Sequence, residues 1–319
     1  MAKHISIILL LLMMASCSSK QENFIDVGKI DVDFSIDRFD IDFYESTESS
    51  LDETKNKYPF FFSNNQPDSI WINKINNKDE KELFIETQKL YNDISFLRVD
   101  LESLFKHVKY YNPKFKSPKV VTLLSNVDHQ NRVVYTSDYL LISLDVYLGK
   151  DHRFYADYPN YVKINNHKNH IIVDVAKKII DSQMLASTSR DFISKIIREG
   201  KKMYLLDRYL PSVLDSEKIG YQKDKFIWAE NNEEQVWKYF IENKLLFSSD
   251  TKLNKRFLDN GPFSKFYRAE DNFSPGKIGV WIGWQIVRSY MKHNDVPLQK
   301  MLSTNSEEIF KKSKYKPKK

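Results

Sequence analysis

The stretch His167-Lys-Asn-His-Ile-Ile-Val-Asp-Val-Ala-Lys-Lys-Ile179 sets two histidines, at i and i+3, just ahead of what reads as an amphipathic helix from Ile171 to Gln183. The helical pattern continues outward. Helices are expected at about Arg190–Arg208, Lys223–Asn243 and Gly276–Asn294, with a short last one from Ser306. Upstream, Leu83, Leu90, Ile94, Leu97, Leu101, Leu104 and Val108 mark one long helical face, or two helices in series, ending before Pro113. Between these regions the pattern changes: Val120 to Leu124, Arg132 to Tyr135 and Leu140 to Leu144 are β-branched or apolar runs separated by Asn, Asp and Gln. Nearer the start, Val32, Phe34 and Ile36, then Phe39, Ile41 and Phe43, alternate with polar residues like a half-buried strand that slips near Asp37-Arg38. Tyr58-Pro-Phe-Phe-Phe62 adds an aromatic knot. The expected class is α+β, with a small antiparallel sheet in the N-terminal half and a helical C-terminal half.

With 319 residues and 41% hydrophobic content the chain can bury a sizeable core. Aromatic residues make up 14% and there are only eight glycines, so the backbone sits mostly in regular elements with rings packed between them. The net charge of +6 is too mild to point to nucleic acid. Six lysines crowd the last nine positions, Lys311 to Lys319, and read as a solvated tail.

The N-terminus is the clearest signal. Met1-Ala-Lys-His4 is a short basic start, and the apolar run from Ile5 to Ala15 is too short to span a bilayer, as expected of a secretory leader. It ends in Met14-Ala-Ser-Cys17, which resembles a bacterial lipobox and contains the only cysteine. Cys17 is therefore the expected lipid-attachment residue, carrying palmitate-type acyl chains that hold the protein to a membrane. The expected division is a signal peptide over 1–16, a lipidated tether over 17–29 and one globular domain over 30–319. Ser18 after the cysteine fits outer-membrane sorting, and the absence of an acidic cluster in Ser18–Asn23 favours the periplasmic face.

Little in the sequence announces chemistry. No phosphate-binding glycine loop and no Gly-x-Ser-x-Gly elbow is present. Asp26, Asp31, Asp33, Asp37, Asp40 and Asp42 lack the glycine and bidentate Glu of a calcium loop and follow the polar side of a strand. Zinc peptidases present His-Glu-x-x-His on one helix, so that both imidazoles and the water-activating Glu face the metal. His167 and His170 lack that Glu, and Asn165, Asn166 and Asn169 place them in a loop. Taken alone, they read as surface histidines.

Downstream, Ile196-Ile-Arg-Glu-Gly200 looks like the second helix of gluzincin-like zinc peptidases, where a Glu-Gly pair supplies the third ligand. Ser274 to Arg288, with glycines at 276, 279 and 283, resembles the packing helix that closes that fold. On this resemblance the His, Glu and His positions fall near Asp174, Val175 and Lys178. It implies a degenerate zincin-like scaffold with no metal, no cofactor and no catalytic residue. Its vestigial cleft is marked by Asp174, Lys178 and Glu199.

Several phrases in order carry a more specific likeness: Lys57-Tyr-Pro-Phe-Phe-Phe62, Asp145-Val-Tyr-Leu-Gly149, Gly200-Lys-Lys-Met-Tyr-Leu205, Asn232 to Phe240, Pro262 to Tyr267, Ser274 to Met291, and Lys312 to Pro317. Together they resemble the GldB family of gliding-motility lipoproteins of Bacteroidetes. The resemblance implies a cell-envelope lipoprotein required for gliding and does not by itself supply a molecular activity; the expected reading is an outer-membrane protein that acts without catalysis by holding protein partners of the gliding machinery. The alternatives it leaves are a metal-dependent peptidase and, from Trp228, Trp237, Trp281 and Trp284, a binder of cell-wall or polysaccharide fragments.

Overall fold

Val120, Val121 and Thr122 have no solvent exposure at all, so their strand must be covered on both faces. The computed structural model, which describes residues 25–62, 66–184 and 189–318, shows how. Four strands, β1 (Ile36–Arg38), β2 (Lys119–Leu123), β3 (Val133–Tyr135) and β4 (Tyr139–Ser143), stand in the order β1-β2-β4-β3. The leader, Cys17 and the first part of the expected tether lie outside the described residues.

The α+β class and the small N-terminal sheet hold, but the sheet is mixed rather than antiparallel. β2 runs parallel to β1, with Ile36 opposite Val120, and parallel to β4, with Val120 opposite Leu140. Only β3 is antiparallel to its neighbour, with Val133 opposite Ile142. The alternation of apolar side chains is the same for either strand direction, so the pattern that located the strands could not orient them.

The expected strand through Phe43 is cut short at Arg38. Phe39–Tyr44 is a helix, α1. Phe39 and Phe43 fit both periods, and as i, i+4 neighbours on α1 their rings stack at 5.2 Å. The switch is held by Asp40, which is fully buried and receives Arg38 at 2.7 Å, Gln88 at 2.9 Å and Thr122 Oγ1 at 2.5 Å. Asp37 pairs with Lys119 and Asp42 with Lys57 and Tyr58, so these three members of the acidic run serve the fold.

Helices α1, α2 (Leu51–Lys57), α3 (Asp68–Asn76) and α4 (Lys78–Tyr91) contribute to a core with Val121 in which Phe43, Tyr58, Phe62 and Leu83 are buried. Val120, Leu140 and Ile142 belong to a larger core with α5 (Ser95–Tyr111), α7 (Ile171–Gln183), α8 (Phe192–Tyr209) and α13 (Ile278–His293). A short α6 (Asn160–Lys163) precedes α7. After α8 come α9 (Asp215–Ile219), α10 (Lys223–Asn231), α11 (Glu233–Glu242) and α12 (Lys252–Phe257). The expected helix over Lys223–Asn243 is thus broken at Asn232, whose amide donates back to the Trp228 carbonyl at 2.8 Å. The chain closes with α14 (Leu298–Ser303) and α15 (Ser306–Lys312).

α8 and α13 form the most extensive helix pair, and they touch backbone to backbone. A Cβ on Gly283 would lie 1.9 Å from the Ile196 carbonyl oxygen, and one on Gly200 would lie 2.1 Å from the Gly283 oxygen. Gly200 of the Glu-Gly pair is therefore required by packing alone. Beside this seam Trp281 and Trp284 are buried, their indole N–H groups donating to Glu233 at 3.1 Å and Asp207 at 2.8 Å.

The described lysines of the basic tail are exposed, as expected, but the tail that carries them is held to the body. Glu233 is 2% exposed and needs partners. Tyr315 donates its hydroxyl to Glu233 at 2.9 Å, the Lys318 N–H donates at 3.1 Å, and Tyr315 packs edge-on against Trp237. Among the described residues no helix is long and apolar enough to cross a membrane.

Candidate functional site

The opening stretch folds as a 3₁₀ turn over Lys168–His170 that runs straight into α7. Ile171, Ile172, Val173, Val175, Ala176, Ile179 and Ile180 bury one side of the helix, leaving Asp174, Lys177 and Lys178 on the half-buried side. Val175 points into the core, so the position matched to a catalytic Glu cannot face a cleft.

Asp174 is the centre of this side. Its Oδ2 accepts from the Tyr147 hydroxyl at 3.0 Å and from Arg132 at 3.4 Å. Its Oδ1 faces His170 Nε2 at 3.5 Å and Lys177 Nζ at 3.9 Å. Burial pushes the Asp174 carboxyl up, but His170, Lys177 and Arg132 together outweigh it and hold the group below its ordinary value. Burial likewise lowers Lys177 despite its pairing with Asp174.

Lys277, in the left-handed region at φ 48 just before α13, brings a second amine under the electrostatic influence of Asp174. Burial and the like charge of Lys177 drive it down to about 7, while Asp174 and Glu199 pull in the opposite direction. Lys277 also lines a cavity of about 450 Å³ with Tyr161, Ile164, Tyr221, Lys225 and Pro262. Glu199 itself pairs with Lys202 at 3.1 Å, and Lys202 reaches Asp181 of α7 at 3.0 Å. Asp174 and Glu199 thus both act on Lys277. Lys178, by contrast, is half-buried and makes no ion pair among the described residues; the ammonium beside Asp174 belongs to Lys177, one position earlier.

Of the two histidines, His167 is partly exposed and His170 is buried. His170 is 1% exposed, and its Nδ1 lies 2.5 Å from Glu217 Oε1 on α9. His167 Nε2 lies 3.5 Å from the same oxygen. Burial lowers His170 below its ordinary value even with Asp174 and Glu217 beside it. Glu217 was not legible as a site residue, because it stands 47 positions after His170 in a short helix with no motif around it. Arg132 and Tyr147 were read only as part of a strand run and of the phrase Asp145–Gly149, with no chemistry attached to either.

The phrase Asp145-Val-Tyr-Leu-Gly149 builds the wall behind these groups. Asp145, fully buried in the 3₁₀ turn Leu144–Val146 that follows β4, accepts from the Ser125 N–H at 3.1 Å and the Val127 N–H at 2.6 Å. This pins a turn in which Asn126 and Val127 both take positive φ, 57 and 63, and from which the chain runs on to His129 and Arg132. Two residues on, Tyr147 reaches Asp174; Leu148 then bridges to His167, and Gly149, at φ 107, donates to the Asn166 carbonyl at 2.8 Å. One short segment therefore fixes Arg132, Tyr147 and His167 relative to α7.

No match was found among curated proteins, and none among solved structures. A family model described as gliding motility protein GldB, with a lipoprotein label, matches residues 20–317. That span takes in every described element and all the phrases that carried the resemblance, and the chain belongs to the GldB gliding-motility family.

Proposed function

We propose that the chain is a lipid-anchored, non-catalytic component of the gliding apparatus, one globular domain on a short tether, which uses a peptidase-like scaffold to hold a protein partner at the outer membrane. The observation that carries this reading is the placement of Lys177 against Asp174, with Lys277 under the electrostatic influence of both Asp174 and Glu199. The Lys177 amine stands 3.9 Å from Asp174, where a dication would have to balance that carboxylate, and a cation at such range opposes a metal. Val175 in the core removes the water-activating group as well. Glu199→Gln is expected to leave gliding and protein abundance close to wild type, and purified protein is expected to cleave no casein or peptide library. Loss of spreading in Glu199→Gln at normal abundance, together with hydrolysis by the wild type, would establish the peptidase instead.

The anchor is tested separately. Cys17→Ala is expected to abolish incorporation of labelled palmitate and to release the protein from membranes. Label at the wild-type level in the variant would place the lipid elsewhere.

A second reading, binding of cell-wall or polysaccharide fragments, is favoured by one feature. A cavity of about 350 Å³ is lined by Trp228, Tyr239, Phe266 and Phe273 together with Arg268 and Asp271, a mixture of ring faces and polar groups suited to sugars.

A further inference from the structure

We propose that His167, His170 and Glu217 form a binding site for a transition-metal dication, zinc by the character of the donors, distinct from the lysine-filled cleft at Glu199. His170 Nδ1 and His167 Nε2 lie 2.5 and 3.5 Å from Glu217 Oε1, and the three donor atoms all fall within 4.8 Å of one another. Tetrahedral zinc with bonds of about 2.0–2.1 Å sets its ligand atoms roughly 3.3 Å apart, so small side-chain movements complete the site. Two imidazoles and one carboxylate make a donor set that suits zinc and leaves a fourth position open.

A second, independent feature is the carboxylate behind the buried histidine. Asp174 Oδ1 faces His170 Nε2 at 3.5 Å, and Asp174 is held in turn by Tyr147 and Arg132. A metal-binding imidazole commonly gives its other N–H to a carboxylate, which fixes the ring and makes it a stronger donor. His170 has carboxylates on both ring nitrogens, and a neutral imidazole has one proton to offer them. A cation between Nδ1 and Glu217 satisfies both sides at once.

The ligands also come from fixed backbone. His167 is bridged to Leu148, and α9, which carries Glu217, is tied to α8 by Lys218 and Asp207 at 3.0 Å. The bound ion would clamp the turn before α7 to α9. Arg132 and Lys177 are the opposing charges; each lies against Asp174, at 3.4 and 3.9 Å, and they weaken the site without occupying it.

The test is a Co²⁺ titration of the full chain, extracted in detergent with a tag free of histidine. A saturable visible spectrum at one equivalent, displaced by Zn²⁺, is expected. His167→Ala and Glu217→Gln should each weaken binding by about 100-fold or more, since even a partner behind a ligand commonly contributes 10–100-fold. Lys177→Gln should tighten it, by roughly 10-fold from relief of like charge. Glu199→Gln should leave it unchanged, which separates this site from the peptidase question. His167 is 34% exposed, so its variant should keep the wild-type melting temperature without metal. Absence of a saturable spectrum in the wild type, or its survival in the His167→Ala, Glu217→Gln double variant, would overturn the proposal.

Discussion

Gly283→Ala is expected to destabilise the protein by about 3 kcal/mol, at the upper end of ordinary overpacking. The added methyl would meet the Ile196 carbonyl oxygen at 1.9 Å, and a backbone atom in the middle of a buried helix cannot turn aside as a flexible side chain can. The two helices must separate, and the dense packing of Trp281, Trp284 and Ile196 along the seam opens with them. At roughly 2–4 °C per kcal/mol for a chain of some 200 residues, and less for a longer one, a melting temperature lower by about 5–10 °C is the observable. Gly200→Ala should behave alike, because its methyl meets the Gly283 oxygen at 2.1 Å. The double variant should cost less than the two single costs added, since either substitution alone already parts the same contact. Additive losses, or an unchanged melting temperature, would show that the helices can slide apart without penalty.

Asp145→Ala is expected to cost about 3 kcal/mol at neutral pH and more in acid. Removal of the carboxylate leaves the Ser125 and Val127 N–H groups without their acceptor, at roughly 1–3 kcal/mol each when buried. It also releases a turn whose φ of 63 at a β-branched Val127 is itself unfavourable. The pH dependence follows from burial, which raises the Asp145 carboxyl to about 6 against the pull of its backbone donors. In the folded state this group binds its proton more tightly than in the unfolded chain, so its contribution is complete below the unfolded value near 4 and declines as pH rises through 6. The gap in stability between wild type and variant should therefore be about 1 kcal/mol wider at pH 5 than at pH 7. Comparing the two proteins cancels groups such as Asp174, Asp215 and Glu217, which are shifted the other way. A gap that narrows in acid would mean that Asp145 is stabilised as the anion.

Helices α7 and α8 were legible because each turns a broad face to the core over several turns, whereas α13 is buried on all sides over Ile278–Trp284 and was legible from its nearly unbroken apolar run. The glycines at 276, 279 and 283 likewise announced a close approach, although not that Gly200 was the other half of it. The site was much less legible. Asp174 was singled out through its place in a helix, but its partners Arg132, Tyr147 and His170 come from the turn before β3, the residue that ends a 3₁₀ turn after β4, and the 3₁₀ turn before α7. Lys177 rather than Lys178 faces it, a difference of one helical step that spacing without neighbours cannot decide. His170 looked exposed because asparagines surround it, yet the loop folds inward against Glu217, a residue with no local signal of its own. The tail was legible in part: its lysines are exposed as composition predicts, while a single buried carboxylate, Glu233, draws Tyr315 and the Lys318 backbone down onto the body.

The parallel placement of β2 between β1 and β4 also dictates an order of assembly. The β3–β4 hairpin, closed through Thr136 and Tyr139, is the only pairing of the sheet that nearby residues can make. β2 must find β4 across the turn held by Asp145, and β1 must find β2 across everything from α1 to α5. Contacts closed over such spans are slow, since the entropy of the loop is lost before the pairing repays it. The sheet is thus expected to grow from its last strands toward its first. Until β1 arrives, the open edge of β2 is a strand surface that any other chain could occupy.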